Sequence, residues 1–219
     1  MAERKIPYLQ YHNGTRKKIL EVATELFALK GFNAVSMRDI AKAVGIKMSS
    51  IYYYYEGKES LLHEVLTAFE SRYRHYFDWL SAVNEQSNSV DSMMDNIFNT
   101  EFLEMRDPMG CFGISLILKE QHNNEAVRKY AFDLFFEYGI KRLQADLDKL
   151  AAKKIIPPSD TKTIAGLLMI CVMGSNDMRL HEHLGTEPPF ARMQFLENLK
   201  SLITSILKQG LCCPLSSQV

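Results

Sequence analysis

Two short helical patterns meet at Gly45, and the spacing around that glycine constrains the chain more than any other feature. The first pattern, Ser36 to Ala43, opens on a serine suited to cap a helix, with Asp39 three residues on where the acid of a capping box belongs. Val44-Gly45-Ile46 follows, and a turn is expected there because glycine takes a positive φ at little cost. The second pattern, Lys47 to Tyr54, begins polar and hydroxyl-rich and ends on aromatics. Ala41, Gly45 and Ile51 supply what a helix-turn-helix needs: a small residue where helices approach, a glycine to turn, and a branched apolar residue to lock the second helix on the first. Ile40, Val44 and Ile46 complete a small core.

A unit of this kind offers the N-terminal end of its second helix to the DNA major groove. Here that end is Lys47, Met48, Ser49 and Ser50. Short hydroxyl side chains hydrogen-bond base edges or phosphates, and a methionine contacts a thymine methyl. A surface helical hairpin inside an all-α protein has the same local pattern, so the flanks must separate the two.

The flanks do so. The run S-M-R-D-I-A-x-x-V-G-I-x-x-S-S-I-Y-x-Y-Y-x-x-K-E-S-L-L resembles the DNA-binding domain of TetR-family transcriptional regulators. It is preceded by T-R-x-x-I-L-E-V-A-x-E-L-F-A-x-K-G-F (Thr15 to Phe32), similar to that family's first helix. The resemblance covers roughly residues 15–66; beyond it only length, helical character and the segment Met109-Gly110-Cys111 are similar. It implies that Tyr52 reaches a DNA phosphate, that Tyr55 sits in the core, and that Lys58 stands beside a phosphate at the start of the next helix, where charge and helix dipole both favour an anion. Tyr53 is a further phosphate candidate, since a phenol donates while its ring packs. Ser36, Met37 and Arg38, at the opening of the first of the two helices, complete the expected DNA-binding set. Ser49 stands where the family often has glycine, and Lys47-Met48 is an uncommon pair; both departures fall on readout positions.

Charge is distributed to match. The 219 residues carry 26 basic and 26 acidic side chains, net zero. Through Lys58, however, ten basic residues face five acidic ones, which suggests a polyanion-facing head on an acidic body. Arg16, Lys17 and Lys18 near the start of the first helix are either phosphate contacts or a solvated basic turn. The charged start Met1 to Lys5 does not read as a signal peptide. The longest apolar run, Ile164 to Gly174, is too short to span a bilayer, which takes about 20 residues. Four cysteines form neither a disulfide framework nor a metal-type cluster. A reduced, cytoplasmic protein with no membrane partner is expected.

The rest reads as helix after helix, so the expected fold is all-α. Residues 1–14 form a loose arm. Ile19, Val22, Ala23, Leu26 and Phe27 mark the first helix, closed by Gly31, with Phe32 folding back. A long helix from Lys58 to about Val83 crosses from head to body and, at about 1.5 Å per residue, spans roughly 40 Å, either as a strut or as a carrier of motion. Further helices are expected at 91–106, 111–121, 125–154, 159–184 and 188–210, punctuated by Pro before and Gly after. Domain organisation follows: residues 1–58 as the DNA-binding domain and 59–219 as a helical ligand-binding and dimerisation domain.

The last two helices have apolar faces wider than one side needs. They are central to the body or form a dimer interface. The family resemblance implies a homodimer through them, and half-sites about 34–36 Å apart suit a paired reader of palindromic DNA. The resemblance also implies an effector pocket in the body, where a Met- and aromatic-rich lining suits an apolar small molecule. Trp79, Phe98, Phe102, Phe112 and Phe136 are its candidates. Asp177, His181 and His183 form a weak metal pattern, read as solvated surface, and Cys111 at a helix start reads as packed or as a redox sensor. No phosphate loop, nucleophile elbow, zinc-protease motif or redox cysteine pair occurs, so neither enzyme activity nor a cofactor is expected. A ligand-responsive DNA-binding regulator, most often a repressor in that family, is the reading. A helical protein-interaction module is the alternative.

Overall fold

The computed structural model describes residues 14–98, 108–183, 185 and 191–210, with the side chains of 108–111, 176, 177, 180, 181 and 183 excepted. The expectations for the arm, Phe102, Cys111 and the Asp177/His181/His183 pattern lie outside the described residues. Among those described, every regular element is a helix. The chain divides into two compact units. Of the described residues, the first takes in those up to Tyr76 and the segment from Pro108 to Ala131; the second takes in Phe77 to Phe98 and those from Phe132 on.

In the first unit, α1 (Thr15–Lys30) buries Ile19, Leu20, Ala23, Thr24, Phe27 and Ala28. This stripe is rotated from the expected one: Val22 and Leu26 are only half-buried, and Leu20, Thr24 and Ala28 lie inside. The cause is a second neighbour. Besides α2 (Met37–Val44), α1 packs along α6 (Pro108–Glu120), a helix about ninety residues later in the chain. Thr24 tolerates burial because its hydroxyl donates to Leu20 O at 2.8 Å. α1 stops at Gly31 (φ 85°), and Phe32 folds back to meet the Phe27 ring edge-on at 5.2 Å.

α2 begins on the expected capping box. The Ser36 hydroxyl accepts from Asp39 N–H, and Asp39 Oδ2 accepts from Ser36 N–H at 2.9 Å. It ends in a Schellman turn at Gly45 (φ 81°, ψ 32°), where Ile46 N–H reaches Ala41 O and Gly45 N–H reaches Lys42 O. α3 (Met48–Tyr54) follows after the extended residue Lys47 and buries Ile51 completely. Ile40, Ala41, Val44, Ile51 and Tyr55 are buried, as a helix-turn-helix core requires.

α4 (Lys58–Glu85) leaves the first unit after Tyr76 and continues into the second. Within the first unit, α6 is buried on nearly every side from Phe112 to Ile117, and α7 (Glu125–Ala131) follows a turn capped by Asn124, whose Oδ1 accepts from Ala126 and Val127 N–H.

In the second unit, α5 (Val90–Ile97) is capped by Ser89 and packs on α10 (Arg192–Gln209). α8 (Lys141–Ala152) packs on α9 (Thr161–His183), which also meets α10. The segment expected as one helix from 125 to 154 is helical from Glu125 to Ala152, but Phe132–Ile140 widens to π-helical geometry. A buried carboxylate, Asp146, accepts from Ser81 Oγ at 2.9 Å and Asn84 Nδ2 at 3.2 Å, so α4 and α8 are joined by a satisfied polar contact rather than by packing alone.

Candidate nucleic-acid interface

Three helix starts converge in the first unit. The openings of α2, α3 and α4, with the connection between α1 and α2, line one concavity of about 700 Å³. Its walls are Asn33, Ala34, Val35, Ser36, Met37, Arg38, Met48, Tyr52, Gly57, Lys58 and Glu59. Of the expected DNA-binding residues, Ser36, Met37, Arg38, Met48, Tyr52 and Lys58 are thus brought together. Lys47 and Ser49 are exposed and Ser50 half-buried, outside this lining but on the same helix start as Met48.

Local structure explains each placement. The Schellman turn reverses the chain so that α3 projects its first turn outward while Ile51 is held inside. The four tyrosines then separate by helical phase. Tyr52 is 50 % exposed, Tyr53 is 84 % exposed, and Tyr55 is 3 % exposed. Tyr53 rests edge-on against Tyr54 at 5.2 Å, leaving its hydroxyl end in solvent. Met37 is buried and forms groove wall, whereas Arg38 beside it is exposed.

Lys58 is held more firmly than its place at a helix start implies. Its Nζ donates to Phe32 O at 2.9 Å and lies 4.3 Å from the centre of the Phe32 ring, a cation–π contact. An ammonium has three protons, so this hold leaves capacity for an outside anion. Arg16 is used otherwise. Its Nε and Nη2 donate to Glu64 Oε1 and Oε2 at 3.1 and 2.7 Å, with Tyr55 under the guanidinium at 5.4 Å. The hydrogen bond to Glu64 pushes the guanidinium pKa up, and burial pushes the Tyr55 phenol up. Arg16 ties α1 to α4 through this ion pair, a use that neither of the two readings, phosphate contact or solvated turn, anticipated.

Asp39 carries the cap. Hydrogen bonds from the Ser36 side chain, and then its backbone, hold the Asp39 carboxyl below the usual aspartate value. Asn33, Gly57 and Glu59 join the groove without having been singled out in sequence; their signal is only that they flank helix starts.

The described aromatic candidates in the body fall in both units. Phe112 is buried in the first unit, Phe98 is buried and Trp79 half-buried in the second, and Phe136 is 45 % exposed and stacked on Phe132 at 5.7 Å. Phe132 and Phe136 lie in the π-helical stretch. Among the described residues no group of three or more His, Cys, Asp or Glu side chains is placed to hold a metal ion, and no helix is long and apolar enough to cross a membrane.

Comparison with known proteins matches residues 19–65 to the model for bacterial regulatory proteins of the tetR family. The biofilm operon icaADBC negative transcriptional regulator IcaR of Staphylococcus epidermidis is 30 % identical over 87 residues, 40 % of this chain and 45 % of that protein. The transcriptional repressor KstR2 of Rhodococcus jostii is 42 % identical over 57 residues, 26 % of this chain and 28 % of that protein. This chain therefore spans less than half the length of either relative in these matches. Among solved structures, the Bacillus subtilis regulator FadR in complex with stearoyl-CoA superposes with a TM-score of 0.62 at 16 % identity, covering 89 % of this chain and 98 % of that one.

Proposed function

We propose that this chain, which belongs to the tetR family of bacterial regulatory proteins, is a cytoplasmic, homodimeric, sequence-specific DNA-binding repressor. It is released from a palindromic operator when a small apolar or aromatic ligand binds its helical body. The head, residues 1–58, docks on DNA; residues 59–219 bind the ligand and the second copy.

The observation that carries this reading is the groove where three helix starts converge. Each helix start turns the positive end of its dipole toward this groove, which favours phosphate. Arg38, Lys58 and Tyr52 supply charge and hydroxyl for the backbone. Met48, exposed at the first turn of α3, is set to meet base edges with Lys47, Ser49 and Ser50 around it.

Support for pairing comes from α9 and α10. Ile170 is 63 % and Leu202 58 % exposed, and Leu167 and Met193 are also on the surface. Gly166 and Gly174, four residues either side of Ile170, have open space where a β-carbon would be. Apolar and small residues along one helical stripe suit close packing against a second copy of the same stripe. Ligand binding in the body then needs to change operator affinity by only about 1–3 kcal/mol of coupling to switch occupancy.

The test is selection of bound duplexes from a random-sequence DNA pool at physiological salt. A two-fold symmetric motif with half-sites about one helical turn apart, or a multiple of that, is the expected result. Recovery of no motif with and without candidate apolar ligands favours the protein-interaction alternative.

A further inference from the structure

We propose that Glu120, at the end of α6, is a positioning residue for DNA binding, acting on Lys58 through Phe32. The inference rests on the DNA-binding reading above and adds to it a residue about sixty positions beyond the helix-turn-helix. Glu120 is a carboxylate only 4 % exposed. Its Oε1 accepts from Phe32 N–H at 2.8 Å and lies 3.4 Å from where a β-carbon on Gly31 would stand. The neighbouring Lys119 Nζ donates to Leu29 O at 3.0 Å and Ala28 O at 3.3 Å. Between them, the two side chains satisfy both kinds of backbone group left over where α1 ends: carbonyls by Lys119, an N–H by Glu120.

Phe32 is thereby fixed at its amide and is used twice more. Its carbonyl oxygen takes Lys58 Nζ, and its ring face lies under the same ammonium. Lys58 lines the groove. A lysine side chain has four rotatable bonds and a flexible reach, so its ammonium is only as well placed as whatever holds it. Here that is Phe32, and Phe32 is held by Glu120. Burying a carboxylate is costly unless it is hydrogen-bonded, so its presence at this position, aimed at one backbone N–H, needs a reason beyond packing.

The role is geometric, which separates two conservative variants. Glu120→Asp keeps the charge but shortens the side chain and loses reach to Phe32 N–H. Glu120→Gln loses the charge but keeps an oxygen at the same reach. The measurement is binding of a labelled 30-bp duplex of mixed sequence, titrated over a range of salt, with thermal midpoints recorded alongside. We expect Glu120→Asp to bind about fivefold more weakly and to flatten the log K against log salt slope by about one, as removing one cation from a phosphate does. We expect Glu120→Gln to stay within twofold of wild type with its slope intact. In a Lys58→Ala background, Glu120→Asp should change the slope no further. A wild-type slope in Glu120→Asp, or an added slope change on top of Lys58→Ala, overturns the proposal even if stability falls. Larger losses in Glu120→Gln than in Glu120→Asp overturn it too, because they assign the effect to charge. Wild-type protein that shows no salt-linked DNA binding at all removes the DNA-binding reading itself, and this inference with it.

Discussion

Gly113 of α6 lies so close to the ring of Phe69 on α4 that a β-carbon at position 113 would stand 2.2 Å from Phe69 Cδ2 and 2.8 Å from Cε2. No heavy-atom contact of that length is tolerable, and the near atoms are ring carbons close to the root of a side chain that is almost fully buried. The two helices approach at this point because one of them has no side chain there.

Gly113→Ala should therefore destabilise the first unit by roughly 1–3 kcal/mol, the usual cost of overpacking a well-packed core. Adding Phe69→Leu, which narrows the opposing side chain, should restore part of the loss. Denaturant melts of the single and double variants check this. A Gly113→Ala melt that coincides with wild type would show that the α4–α6 approach is looser than the distances imply.

The capping box at the start of α2 makes a pH-linked prediction. Ser36→Ala should cost about 1 kcal/mol of stability, the ordinary value for losing a helix cap. The Asp39 carboxyl is held below its usual value by the Ser36 hydroxyl first and the Ser36 backbone second. A depressed carboxylate contributes stability above its unfolded value, and that contribution disappears as pH falls through the folded value. NMR titration should find Asp39 titrating below ordinary aspartates and moving up toward them in Ser36→Ala. An unmoved midpoint in that variant would contradict the assigned cause.

Groove residues should divide into two classes by their effect on DNA. Arg38→Ala with Lys58→Ala should weaken binding to all duplexes alike and flatten the salt slope by about two, one for each phosphate left without its cation. Met48→Ala or Ser50→Ala should leave the slope unchanged and alter which sequences are preferred, each specific base interaction being worth about 1–3 kcal/mol of discrimination. Fluorescence anisotropy over a salt range, with repeated sequence selection, measures both. Wild-type affinity and slope in the Arg38/Lys58 double variant would refute the docking arrangement.

The exposed stripe on α9 and α10 predicts the oligomeric state. Ile170→Glu and Leu202→Glu each place a charge where a second copy is proposed to pack, and burying an unpaired charge is strongly unfavourable. Sedimentation velocity should show wild type as a dimer and the double variant as a folded monomer with weakened operator binding. A monomeric wild type, or a dimer untouched by both charges, would move the interface elsewhere.

How much of this was legible in advance depends on how far apart the cooperating residues are in the chain. The capping box of Ser36 and Asp39, the left-handed turn at Gly45, the lock at Ile51 and the inward turn of Tyr55 each depend on residues within about ten positions. Local backbone geometry and helical phase govern them, so one stretch of sequence was enough to determine the head, and helix punctuation was enough to make the described body all helical. Contacts between distant segments carry no such local mark. Thr24 and Ala28 are buried because α6 covers a second side of α1, and only the packed structure reveals that neighbour. Arg16 was one of three basic residues facing the same choice until Glu64 claimed it. Phe136 was a candidate for lining an effector pocket, yet it lies in the π-helical stretch, 45 % exposed and stacked on Phe132. Glu120 and Gly113 looked unremarkable in sequence, because a carboxylate acquires its role from the amide it meets and a glycine from the ring beside it. Short-range hydrogen bonding and helical periodicity were therefore set by the chain alone, whereas the partners of each buried charge and each close approach were decided by which helices fold against one another.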